Sequence, residues 1–178
     1  MSYLPKPSPT QASHQDSPTS ALLHIGPEHA LLAHAVGTWD VHFTHWQEPG
    51  EQPKQATAVS SIESVYDGRF VREHFTSDHH GIHFAGTGTT GYDRLAKHYV
   101  STWYDNAGTG IVMLLGTAMP NGKMITYRGT KMCATKHMPI SLRHVLAWEN
   151  PDRFSVVMHA RDQGDERVVM ELVYNRRK

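Results

Sequence analysis

From Thr38 to Arg176 the chain repeats one pattern: short runs in which apolar and polar side chains alternate, broken by turn residues roughly every ten positions. Alternation with a period of two marks a strand that buries one face. In the first run Trp39, Val41, Phe43 and His45 share a face, with Asp40, His42, Thr44 and Trp46 opposite. Leu142, His144, Leu146 and Trp148 align in the eighth run and Phe154, Val156 and Met158 in the ninth. Val168, Met170, Leu172 and Tyr174 align in the last. These faces are the predicted interior. The breaks fall at Glu48-Pro49-Gly50, Asp67-Gly68, Asp78-His79-His80-Gly81, Asn106-Ala107-Gly108, Asn121-Gly122, Glu149-Asn150-Pro151-Asp152 and Gln163-Gly164-Asp165. Asp-Gly and Asn-Gly are strong hairpin signals, because both central residues of a type I′ turn need positive φ. The pattern predicts about ten strands, at 38–46, 55–65, 69–76, 82–91, 98–105, 110–118, 123–131, 140–149, 153–161 and 166–176.

Only one stretch carries a helical period. Gly26 suits an N-cap and Pro27 the first helical position, and Glu28 lies where the helix dipole favours an anion. Leu31, Leu32, Ala35 and Val36 form an apolar stripe, and Gly37 ends it, which predicts a helix over 27–36. No second helix intervenes between strands, so parallel crossovers are not expected. The fold class that follows is all-β: an antiparallel up-and-down barrel with one short N-terminal helix over one end. Closure also removes the exposed sheet edges. Residues 1–22, rich in Pro, Ser, Thr and Gln, bury too little to offset their ordering entropy and are expected to be a disordered tail. One domain then spans 23–178.

Charge narrows the partners. Seventeen basic and 17 acidic residues balance, which argues against nucleic acid or an anionic membrane surface. No apolar run is long enough to span a membrane, and no secretory signal is visible, so a cytoplasmic protein is expected. The single cysteine, Cys133, excludes an internal disulfide framework. The 14 histidines are the one unusual count, and His is the commonest metal ligand.

The start Gly37-Thr38-Trp39 directly after a helix, with Arg176 closing the last strand, resembles the calycin superfamily of lipocalins and fatty-acid-binding proteins. In those barrels the Trp packs at the closed end near an Arg of the last strand. The wider order is Gly37-Thr38-Trp39-Asp40, Gly68-Arg69-Phe70-Val71, Phe84-Ala85-Gly86-Thr87-Gly88 and Gly91-Tyr92-Asp93. It continues with Trp103-Tyr104-Asp105, Gly108-Thr109-Gly110, Met170-Glu171-Leu172 and Tyr174-Asn175-Arg176. This order is similar to the bacterial domain-of-unknown-function 1579 family, from about residue 27 to 177. The resemblance implies a calycin-like barrel and brings no assigned reaction or catalytic residue. Nitrobindin-type haem barrels share the architecture, but their Trp-x-Gly-x-Gly opening is missing here, so no haem-binding His carries over.

Barrels of this size either fill with side chains or hold one small ligand. The leading expectation is therefore a module binding a small, largely apolar ligand, with Phe43, His45, Glu73, Trp103, Met113, Arg128, His144 and Met158 as candidate contacts. Glu73 with Arg128 is the candidate interior ion pair, and the methionines, Met113, Met124, Met132, Met158 and Met170 among them, suit an adaptable lining. The alternative is an enzyme, an isomerase, lyase or hydrolase, using His45, Glu73 or His144 as acid or base, without a cofactor or assisted by a metal. The cluster Glu73-His74, Asp78-His79-His80 and His83 has no metal-site spacing and reads as a solvated hairpin tip. His74 with His83 is the weaker metal pair. No cofactor is evident. Gly86-Thr87-Gly88 and Gly108-Thr109-Gly110 precede no helix, so they read as bulges or turns rather than phosphate loops. A third reading is a homodimer formed through an outer face bearing Trp46.

Overall fold

Ten antiparallel strands close on themselves, each lying beside its neighbours in sequence. In the computed structural model, which describes residues 23–46, 50–79, 81–133 and 137–178, they follow one helix, α1 (Pro27–Ala33). The strands are β1 (Gly37–His45), β2 (Lys54–Val65), β3 (Phe70–His79), β4 (Ile82–Asp93) and β5 (His98–Asp105). Then come β6 (Val112–Ala118), β7 (Met124–Met132), β8 (Pro139–Asn150), β9 (Arg153–Arg161) and β10 (Arg167–Arg176). The barrel closes where β1 pairs with β10, from Trp39 opposite Arg176 to His45 opposite Met170. The tail expected over 1–22 and the turn at Glu48-Pro49 lie outside the described residues, as does His80. Among the described residues, no helix is long and apolar enough to cross a membrane.

The turn chemistry differs from expectation in detail. Val65 pairs with Phe70, so Asp67-Gly68 sits within a four-residue loop, and Tyr66, Asp67 and Gly68 all have positive φ. Asn121-Gly122 also lies in a longer loop, closed by a bond from the Met119 amide to the Met124 carbonyl. In both loops a glycine takes the left-handed position (φ 85° and 66°), while the loop is longer than the two residues of a type I′ hairpin.

The helix ends at Ala33 rather than at 36, and the carbonyls that follow it are taken by side chains from outside. Trp39 Nε1 donates to Ala35 O at 2.8 Å, and Arg176 donates to His34 O and Val36 O at 3.0 and 2.8 Å. The amides of Ala35 and Val36 make i→i+3 bonds that tighten the final turn. The Arg176 guanidinium lies 4.1 Å from the Trp39 ring centroid and also meets Pro151 O and Asp152. One arginine thus joins the end of β10, the start of β1, the β8–β9 turn and the helix.

Two core clusters fill the interior. One gathers around Trp39, Val41, Ile62, Phe75, Phe154 and Tyr174; the other joins Leu32 of α1 to Tyr99, Leu114, Ile125, Tyr127 and Leu142.

Candidate functional site

Between α1 and these clusters lies a cavity of about 110 Å³. Leu31, Leu32 and Ala35 form its roof, and Ile62, Val71, Ile125, Leu146 and Val156 contribute aliphatic wall. Five aromatic residues complete the lining: Trp103, Tyr127, Trp148, Phe154 and Tyr174. Three of these make one continuous surface, with Phe154 stacked on Tyr174 at 4.2 Å and 12° and Trp148 against Phe154 at 4.5 Å. The polar lining is sparse: Thr90, Ser101 and the carboxyl of Glu73. Glu73 is the only lining residue among those described that carries a full charge when ionised at neutral pH.

Glu73 reaches the interior because it alternates with Val71 and Phe75, both packed in the core. Ser60 Oγ donates to Glu73 Oε1 at 2.7 Å and the Tyr174 hydroxyl donates to the same oxygen at 3.1 Å. Ser60 is fully buried and Tyr174 nearly so. Both hydroxyls converge on Oε1, which leaves Oε2 as the oxygen open to a ligand. Burial pushes the Glu73 carboxyl above its ordinary value, and the Ser60 and Tyr174 hydrogen bonds oppose that rise. The Tyr174 hydroxyl is pushed well above its ordinary value, by burial first and then by the charge of Glu73.

Trp103 forms a second wall. Its Nε1 donates to Asp105 Oδ2 at 2.8 Å, and Asp105 Oδ1 accepts the Ala107 amide at 3.0 Å. Asp105 thus fixes both the turn and the indole. The ring lies flat on β4: a Cβ at Gly86 would overlap it, and one at Gly88 would sit 3.2 Å away. Gly86 and Gly88 are therefore mid-strand clearances for the indole rather than bulges or turns.

The other sequence candidates separate. Phe43 and Met158 pack against the first core cluster, and His45 faces Phe43 with ring centroids 6.1 Å apart. His144 sits opposite Met158 on β9 and Tyr127 on β7, and burial drives its imidazole down to about 4, with Lys131 and His159 adding to the shift. None of these four lines the cavity, which lies at the helix-covered end rather than at the far rim. His45, Glu73 and His144 therefore do not form one acid–base set. Met113 is a correction: it is 58% exposed, because the inward residues of β6 are Leu114 and Gly116. Arg128 is another: it is exposed beside buried Tyr127, and the partners of Glu73 are hydroxyls rather than a guanidinium. Met132 is exposed as well, so the methionine lining reduces to Met158 and Met170, which pack against the core.

The weak metal pair also parts. His74 faces Thr87 across the hairpin and lies 3.6 Å from Glu63, whereas His83 faces Asp78 at 2.8 Å. Among the described residues no group of three or more His, Cys, Asp or Glu is placed to hold a metal ion. Trp46 is only partly exposed, and large exposed apolar side chains lie elsewhere, among them Tyr104, Met113 and Leu115 on β5 and β6 and Ile111 just before β6. Ser60, Tyr127 and Tyr174 are cavity or carboxyl partners that sequence reasoning did not single out. For Tyr174 the signal was present, since it alternates inward with Leu172 and Met170.

A closed antiparallel barrel with a polar point in an aromatic cavity defines the class of protein. The chain belongs to the DUF1579 family, described as a protein of unknown function, with residues 24–176 matched. Among solved structures it is similar to that titled "Crystal Structure of Rv2717c from M. tuberculosis". The TM-score is 0.59 at 13% identity, covering 87% of this chain and 100% of that one, a likeness of fold. No curated protein matches this chain.

Proposed function

We propose that the barrel binds a small, largely apolar ligand in the cavity beneath α1. The observation that carries this reading is the lining itself: aromatic and aliphatic side chains with one carboxyl oriented by two hydroxyls. Ligand sites are typically apolar concavities with a few placed polar groups. Size limits the ligand. An engineered apolar cavity of ~150 Å³ binds benzene, so about 110 Å³ suits a compact group of at most roughly that size. The Trp39–Arg176 contact at the helix-covered end supports a calycin-like ancestry.

Crystals pressurised with xenon test the reading, alongside native mass spectrometry of untagged protein. Xenon density beneath α1, or a small molecule retained in the gas phase, is expected. An interior without xenon and a mass equal to the bare chain would overturn it.

A further inference from the structure

The cavity has a charge as well as a size. Glu73 is its only carboxyl, and no lysine, arginine or histidine lines it among the described residues. An ionised carboxylate with no countercharge in an apolar space is costly, and a ligand of opposite sign removes that cost. The walls fit the same sign. Trp103, Trp148, Phe154, Tyr127 and Tyr174 surround the space, and aromatic faces attract cations, most strongly when both are desolvated. Trp103 and Tyr174 have their own polar atoms engaged, with Asp105 and Glu73 respectively, so their rings meet a ligand as hydrocarbon and π surface. A neutral apolar ligand would leave the second oxygen of Glu73 without a partner. An anion would be repelled.

We propose that the cavity receives a small organic cation, an alkylammonium or quaternary ammonium group, with its charge against Glu73 Oε2 and its alkyl surface against Trp103 and the Trp148–Phe154–Tyr174 wall. The proposal rests on the cavity being a ligand site at all and names the ligand's chemical class. Glu73 supplies charge selectivity, Ser60 and Tyr174 hold its carboxyl in place, and α1 covers the bound group.

Isothermal titration with choline and with its neutral isostere 3,3-dimethylbutan-1-ol at pH 7.5 tests the class. The cation is expected to bind at least tenfold more tightly. Glu73→Gln, which keeps an oxygen to accept from Ser60 and Tyr174, is expected to abolish that preference while the neutral isostere still binds. In the native protein, choline affinity is expected to fall as pH drops through the titration of Glu73, with the isostere unaffected, a readout that does not depend on the variant folding. Equal affinity for the two probes, or choline binding unchanged by Glu73→Gln or by pH, overturns the ammonium assignment and leaves the cavity reading standing. Binding of neither probe overturns both.

Discussion

Glu73 and His144 both point into the barrel, and burial moves them in opposite directions. The folded-state value of Glu73 is raised above its ordinary 4.5, so the native protein holds this proton to higher pH than the unfolded chain. Its contribution to stability is full below about 4.5 and is lost as pH rises through the folded value. Glu73→Gln is therefore expected to gain stability relative to the native protein between pH 4.5 and pH 8, read from urea unfolding at the two values. A relative loss would show that the carboxylate is well accommodated. His144 has the reverse sign. Its folded value near 4 lies below 6.5, so stability falls as pH drops from 6.5 toward 4. The shift corresponds to about 2 kcal/mol between pH 7.5 and pH 5. His144→Leu is expected to flatten the acid side of the stability profile by that amount, measured by the same unfolding experiment. An unchanged slope would place the imidazole in contact with water.

At the scale of strands, glycines stand directly opposite aromatic residues, among them Gly88 opposite Trp103, Gly116 opposite Tyr127 and Gly91 opposite Phe70. Each lets a ring lie against the neighbouring strand: a Cβ would collide with the ring at Gly91 and Gly116 and would crowd the indole at Gly88. Gly86 extends the same clearance for Trp103. Gly86→Ala is expected to destabilise by about 1–3 kcal/mol through overpacking. Combining it with Trp103→Leu is expected to relieve most of that loss, a coupling that a double-mutant cycle measures. Additive losses would mean the indole has room to move. The same pairs explain where alternation was hard to read. Strands β1, β8, β9 and β10 carry apolar groups on one face and reveal their parity. In β6, Val112-Met113-Leu114-Leu115 is apolar on both faces, and its inward series continues through Gly116, which offers no side chain to read. Met113 looked like an interior residue for that reason. Arg128 carries no clear parity signal, because Met124 and Thr126, which share its face, say little about direction, whereas Ile125 and Tyr127 fill the core. The number and bounds of the strands were legible because turn residues punctuate the chain, and turns depend on local backbone chemistry alone.

At the scale of the molecule, the barrel is closed and roofed by contacts that sequence spacing could only hint at. Arg176 engages Trp39, His34 O, Val36 O, Pro151 O and Asp152, linking residues up to 142 positions apart. Lysine lacks the planar fork needed to serve these carbonyls together. Arg176→Lys is expected to lose roughly 2–4 kcal/mol and to speed amide exchange in α1 and along the β1–β10 seam. Exchange unchanged in α1 would show that the helix holds its place without this side chain. The Gly-x-Trp start and the final arginine marked this end of the barrel in advance. The cavity beneath the helix was not legible, because it depends on how α1 settles across strands remote in sequence. Of its carboxyl partners, Ser60 comes from β2, the hairpin neighbour of β3, whereas Tyr174 comes from β10, which reaches Glu73 only in the closed barrel.

At the centre stands the proposal that this cavity takes up a small organic cation. It is tested most directly by following the four tryptophan indole N–H signals in a nitrogen-15 NMR titration with choline. Trp103 and Trp148 line the cavity and Trp46 does not, so saturable shifts of the first two with Trp46 unmoved are the expected result. No movement of Trp103 or Trp148 at any choline concentration, or movement confined to Trp46, would contradict it.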